Sequence, residues 1–484
     1  MTVTADLRRS HRYLTLLALV LVAYWPTLKV GFLWDDHVFI EQNPYIQSWT
    51  WSNLKHDLTS TVSNGLGDEG YLRPVVTWSN RLDYSIWGFH PFGYHLTSLA
   101  LHFGNTILLY ELILILGCSP LTALLTACLF AVHPIGVEGL ICVTGRGTFL
   151  SFFFGLSAIL FLAEPDPGRI LLGLVSLALA LLSKEESVVV PFLIALLWAV
   201  RGAPKKRYGL LLPIGVLLGI YLLYRHALFG TLGAPNDLTF TLRFFLQAFP
   251  RVLSHYLRLI LIPWNLHSHR MILRMSHFWV LSLVGWIGAM LLAWSKRRSY
   301  PWIFFCVFWF VLGLLPPALA MVHGGFMLDH WGYWVAPAVL LPLGILFDTL
   351  WSRQYPKGFS MLYFALLIFY ALLVQLNIEL RGTDEKMYRW ALRFSTSHPI
   401  QFNLASLLLH TGRPGEAIPY FEEVQAYYPE DLRNSYFLAL AYDAAGHPKV
   451  AIHELETILK RDPTYTPAIQ YLHTMKAKSH SPVR

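Results

Sequence analysis

Eleven apolar runs, several of near-bilayer length, constrain this chain more than any other feature. They lie near residues 13–28, 94–116, 121–132, 147–163, 169–182, 188–200, 209–225, 278–294, 301–320, 333–350 and 359–376. A hydrocarbon core is about 30 Å thick and offers no water to backbone polar groups, so such runs fold as helices. With 55% of 484 residues hydrophobic and only 14% charged, the chain is too apolar for one water-soluble core. We therefore expect an all-α, polytopic membrane protein with about eleven transmembrane helices. Much of the net charge of +8 sits in loops between apolar runs, where it sets orientation, and no nucleic-acid partner is expected. Cys118, Cys128, Cys142 and Cys306 lack paired spacing, so neither a disulfide framework nor a zinc site is implied.

The basic clusters at Arg8–Arg12, Arg201–Arg207, Lys296–Arg298 and Arg353/Lys357 share the cytoplasm only if an even number of crossings separates each pair. That holds if the further apolar stretch 243–262 does not cross. Its pattern supports this, because Arg243, Gln247, Arg251, Ser254, His255 and Arg258 fall within about 120° of helical arc. Arg251 and Arg258 then either reach lipid headgroups or face a substrate. Residues 1–25 read as a retained anchor rather than a cleaved signal, with a cytoplasmic N-terminus. The loop 29–93, the loops near 133–146, 183–187 and 321–332, and everything after 377 fall on the extracytoplasmic side. In a bacterium this is the periplasmic side of the inner membrane, and in a eukaryote the ER lumen.

The tail has a different architecture. Ala405, Gly412, Ala417 and Pro429 recur 34 residues later as Ala439, Gly446, Ala451 and Pro463, the spacing of tetratricopeptide helical hairpins. Residues 464–475 read as the first helix of a third unit that caps the stack. The expected division is a membrane domain over 1–380, a linker over 381–398 and a repeat domain over 399–484.

Two adjacent carboxylates, Asp35 and Asp36, follow the first apolar run. Phe32-Leu33-Trp34-Asp35-Asp36, Tyr71-Leu72-Arg73-Pro74-Val75, His90-Pro91-Phe92-Gly93-Tyr94-His95-Leu96, Phe130-Ala131-Val132-His133-Pro134 with Glu138 and Gly145-Arg146, and Leu182-Ser183-Lys184-Glu185 appear in this order. Together with the repeat tail, they resemble the transmembrane-and-TPR O-mannosyltransferases, which are GT-C glycosyltransferases using polyprenyl-phosphate sugars. The short repeat array suits a bacterial member. Where the family has an Ala-Glu-Arg-Tyr-Leu-Tyr-like stretch, this chain reads Leu328-Asp329-His330-Trp331-Gly332-Tyr333, so His330 stands in place of an arginine.

The resemblance implies a GT-C fold and an inverting transfer of a sugar, mannose by the family, from polyprenyl phosphate to a Ser or Thr hydroxyl. Such a donor carries its own leaving group, so the acceptor needs a base and the departing phosphate needs positive charge. Asp35 is favoured as base, with Asp36 orienting it or the sugar; the competing role for the pair is a helix cap near His37. Glu138 resembles the family's acidic sugar-binding residue. Arg146 and Lys184, with Glu185 beside it, are donor-phosphate candidates, although Arg146 also suits interfacial anchoring. Arg73 either aims inward or pairs with Asp68 or Glu69. Asp329 and His330 complete the candidate substrate-binding set. Metal use varies among GT-C enzymes, so a divalent cation held by Asp36 and Glu138 is left open, and no histidine spacing gives a metal site. The partners implied are the lipid-linked donor, membrane lipids and a protein or peptide acceptor on the repeats. The competing functions are a non-catalytic scaffold using the repeats, and an enzyme modifying a glycan or lipid.

Overall fold

The structure is a computed structural model that describes residues 2–61, 71–230, 242–271, 279–324, 326–352 and 356–480. The fold is all-α, in two compact units. One comprises residues 1–268 and 272–382, the other residues 269–271 and 383–484.

In the first unit every expected apolar run is largely helical. Among the described residues, five helices are long and apolar enough to cross a membrane: Pro91–Ile115, Val143–Ala163, Lys205–Phe229, Pro301–Ala320 and Gly358–Arg381. A sixth is reached if the pair Pro120–Ala131 and Pro134–Ile141, bent by 46°, counts as one span. Pro167–Leu181, Trp279–Ser295 and Ala336–Trp351 are apolar but shorter. The chain is a multi-pass membrane protein. Eleven crossings would require the shorter helices to cross as well, and Val190–Val200, rising 1.5 Å per residue, is about 16 Å long, roughly half the hydrocarbon thickness.

The helix Arg146–Ala163 runs through the middle of this unit, packed against helices Pro91–Ile115 and Pro167–Leu181. Helices approach closely where a side chain is absent: a Cβ on Gly344 would fall 2.0 Å from Thr126 Oγ1 of the facing helix. The helix Thr2–Tyr24 buries Leu16, Val20, Ala23 and Tyr24 completely, a stripe at helical spacing.

The long loop 29–93 is far from featureless. It holds helices Trp51–Thr59 and Pro74–Trp87, tied together by Arg81 Nη1 on Asp57 at 2.7 Å and by Trp78 Nε1 donating to the same carboxylate at 3.0 Å.

The amphipathic stretch forms the helix Leu242–Leu261 with Pro250 inside it, and it is not among the apolar spans. Its polar face is in part a helix contact. Ser254 donates to Ser282 and accepts from Trp286 Nε1, both on helix Trp279–Ser295, so a stripe wholly turned to headgroups is not what forms. The Arg243 side chain lies outside the described residues.

In the second unit, helices His398–His410, Pro414–Tyr427, Leu432–Ala444, Pro448–Arg461 and Thr466–His480 follow the 34-residue period. Ala405, Ala417, Ala439 and Ala451 are fully buried where the paired helices meet. Gly412 and Gly446 end the first helix of each hairpin at φ +77° and +83°, a left-handed position where a side chain would be strained. The stretch 381–398, expected as a linker, contains the helix Asp384–Leu392, packed on helix His398–His410.

Candidate active site

Trp34 adopts φ +52°, the left-handed region that a tryptophan occupies only when its surroundings hold it there. This kink turns the chain back, so that Leu33 N–H donates to Asp36 Oδ2 at 3.1 Å. Opposite, Pro134 breaks the bent helix pair and Gly139 packs directly on Gly145, whose Cβ would lie 2.5 Å from Gly139 Cα. That close approach folds 138–146 tightly and aims two more donors at Asp36: Val143 N–H to Oδ2 at 2.9 Å and Thr144 N–H to Oδ1 at 2.8 Å. His95 braces the same junction, with Nδ1 2.9 Å from Leu140 O and Nε2 3.3 Å from Gly31 O.

Asp36 is therefore a buried clasp between two loops. It makes no side-chain cap to the π-helical turn His37–Glu41, so Asp36 does not take the helix-cap role. Burial pushes its carboxyl up to about 6 from an ordinary 3.8, although three backbone N–H groups favour the charge. The folded chain thus holds this proton more tightly than the unfolded chain. The stability it contributes is fully present below about pH 3.8 and is lost as the pH rises through about 6. Thermal unfolding followed against pH should show this decline in the wild type and lose it in Asp36→Asn. Equal slopes in the two chains would contradict the buried clasp. The three N–H dipoles around Asp36 oppose a cation, so a divalent ion shared with Glu138 does not fit these residues.

Asp35 has a different setting. It is half-buried, and its backbone carbonyl accepts from Val38 and Phe39 at 3.1 and 2.9 Å. Burial and the carboxylates of Asp36, Glu138 and Asp35 push the Cys142 thiol up, while Arg381 acts in the opposite sense. All four charged side chains therefore act electrostatically on Cys142.

Glu138, buried at 3% exposure, accepts from His330 N–H at 3.1 Å, with His330 Nδ1 3.6 Å from the same oxygen. The carboxylate of one loop thus meets the late loop that carries Asp329, itself buried. Arg381, at the end of helix Pro356–Arg381 and 1% exposed, acts electrostatically on both Glu138 and Cys142. Sequence reading missed it. The available signal was an arginine at the end of an apolar run that the expected orientation places outside the cytoplasm, against the usual distribution of positive charge.

A second cluster forms because Val75 N–H donates to Leu182 O at 3.3 Å, docking the start of helix Pro74–Trp87 on the 182–187 turn. Arg73 then reaches Glu185 at 2.8 Å, and Arg225, which sequence reading also missed, reaches it at 3.1 Å. Asp68 and Glu69, the expected partners of Arg73, lie outside the described residues. Lys184 Nζ lies 2.9 Å from both Glu186 and Thr148 Oγ1. Burial opposes the charge on Glu185, but Arg73 and Arg225 outweigh it and hold the carboxyl down to about 2. Burial lowers Lys184, with Glu186 acting against that trend. Three cationic side chains share two carboxylates, leaving one positive charge in excess.

The two clusters share one anchor segment. Thr144 donates to Asp36 and Thr148 accepts from Lys184, four residues and about 6 Å apart along a helical rise. Arg146 lies between them and is fully buried. Its guanidinium meets Asp83 at 2.5 Å and donates to Ser98, Ser79, Asn80 and the Tyr94 carbonyl. With its nitrogens so occupied, it braces the segment rather than offering donors to a ligand, the role expected of it. Arg251 is half-buried, and Arg258 Nη2 lies 3.4 Å from Asn265 Oδ1.

Comparison with known proteins bears on this arrangement. Residues 408–476 match the tetratricopeptide repeat family. The chain is 32% identical over 177 residues to the protein O-mannosyl-transferase Tmtc1 of Drosophila melanogaster, covering 35% of this chain and 21% of that protein. It is 33% identical over 201 residues to Tmtc2 of the same organism, covering 38% and 21%. Human TMTC4, also called a protein O-mannosyl-transferase, is 29% identical over 216 residues, covering 35% and 29%. Over about a third of its length the chain is thus similar to the TMTC proteins. The matches span about a fifth of the length of the two fly relatives. The chain combines a multi-pass membrane unit with a short repeat tail.

Proposed function

We propose that this chain is an inverting membrane glycosyltransferase of the GT-C kind, moving mannose from a polyprenyl-phosphate donor to a protein Ser or Thr hydroxyl outside the cytoplasm. The observation that carries the reading is the division of labour between the two aspartates. Asp36 is buried and clamped by backbone N–H groups, while Asp35, next to it in the chain, is half-buried. Asp35 takes the acceptor proton as its oxygen attacks the anomeric carbon, and the carbon–oxygen bond to the lipid phosphate breaks. Glu138 and His330 hold the sugar. Arg381 and the cationic excess around Lys184 stabilise the departing phosphate, since a charge developing in a dry site is where fixed donors count most.

Membranes containing the chain, given polyprenyl phosphate bearing labelled mannose, should incorporate label into protein, and mild alkali should release it as expected for a Ser or Thr linkage. Label confined to lipid or free glycan would select the alternative acceptors. The side of the membrane is tested separately: a reporter fused after Leu380 should read as extracytoplasmic and one at Lys205 as cytoplasmic. The reverse result would place the acidic loop on the wrong face for this donor.

A further inference from the structure

The repeat unit holds a cavity of its own, 560 Å³ in volume, where the start of helix His398–His410 meets the end of Pro414–Tyr427 and the start of Leu432–Ala444. That is within the range of roughly 300–1,000 Å³ usual for small-ligand sites. Its wall is aromatic. The His398 ring lies flat on Tyr427, centroids 4.0 Å apart at 23°, and edge-on to Tyr428 at 5.3 Å, while the two tyrosines meet at 4.8 Å and 76°. His398 covers one face of Tyr427, yet Tyr427 is still 64% exposed, so its other face is open. The rim is polar and of mixed character: the Asn403 amide, the Glu430 and Asp431 carboxylates and the Arg433 guanidinium. Two of these are held in place. Arg433 lies over Phe402 at 4.8 Å, and Asp431 Oδ1 accepts from the N–H groups of Arg433 and Asn434. Beside the wall, His398 Nδ1 is buried with no hydrogen-bond partner among the described residues.

We propose that this cavity binds a pyranose ring. A pyranose presents apolar C–H faces and a girdle of hydroxyls, each both donor and acceptor. One open tyrosine face suits the first, and a rim offering carboxylate acceptors, guanidinium donors and an amide with both suits the second. A proline-rich peptide would need a run of open aromatic faces, whereas here the tyrosines cross steeply and one face is covered. A cage for an ammonium group would not place a guanidinium on its rim. That the sugar is a protein-linked hexose made by this same chain rests on the transferase reading; pyranose binding does not. Under that reading the cavity retains already-modified chains for a further round.

The test uses the full chain in nanodiscs, free of sugar-based detergent, titrated with the methyl pyranosides of mannose, glucose and galactose and, separately, with a proline-rich peptide. Saturation-transfer NMR reports the contact. At least one pyranoside should bind saturably, and Tyr427→Ala and Asn403→Ala should each weaken it about tenfold, with unfolding temperatures unchanged. Asp35→Asn should bind as wild type, so an inactive transferase would not count against the cavity. No saturable pyranoside binding, binding unaffected by both substitutions, or binding of the peptide alone would overturn the proposal.

Discussion

An Arg146→Met chain is expected to lose about 3–5 kcal/mol of stability in its membrane unit, the usual consequence of removing one partner of a buried ion pair. Methionine replaces much of the stem, so the loss isolates the guanidinium. Asp83 would remain at 2% exposure with Thr97 as its other described donor, and the Tyr94 carbonyl, Asn80 and two serines would lose a partner at once. Because native stabilities are only about 5–15 kcal/mol, this is a large fraction of the total. Thermal unfolding in nanodiscs measures it. Arg146→Lys should fall between, since one ammonium cannot reach all five partners. Adding Asp83→Asn to Arg146→Met should cost less than the separate losses combined, because the two residues are coupled. Full stability with weakened donor binding would instead return Arg146 to the phosphate.

Asp35→Asn is expected to lower the transfer rate by about 10²–10⁴, the range for removing a general base. The side chain keeps its shape and loses its capacity to take a proton, so donor KM and the unfolding temperature should stay near wild type. The loss should therefore appear in kcat. Initial rates at matched amounts of folded protein measure this. A change of only a few-fold would move the base elsewhere, with Glu138 the next carboxylate to substitute.

Much of the architecture was legible because the membrane leaves few choices. A run without polar groups becomes a helix, and a 34-residue recurrence of alanines at helix contacts becomes stacked hairpins. The sites were legible as candidate residues and not as contacts. Glu138 and His330 were each assigned to the outer face, but nothing local announces that residues 192 apart share a hydrogen bond. The partners of Asp36 could not be read at all, since three backbone N–H groups carry no residue signature. Arg146 was misjudged for a related reason: Asp83 lies in a helix hidden within a stretch read as loop. Arg381 and Arg225 looked like ordinary charges near helix ends, and only their burial against Glu138 and Glu185 marks them. The span count stayed open because helix length, unlike apolarity, depends on where prolines and tight turns cut the runs.

The most direct measurement is transfer by the purified wild-type chain in nanodiscs, supplied with polyprenyl-phosphate mannose and a Ser/Thr-rich peptide, with other lipid-linked sugars in parallel. Time-dependent labelling of the peptide from the mannose donor is the expected result. No labelling from any lipid-linked sugar, by a chain whose unfolding shows it to be intact, would contradict the transferase account and leave a membrane scaffold built on repeats.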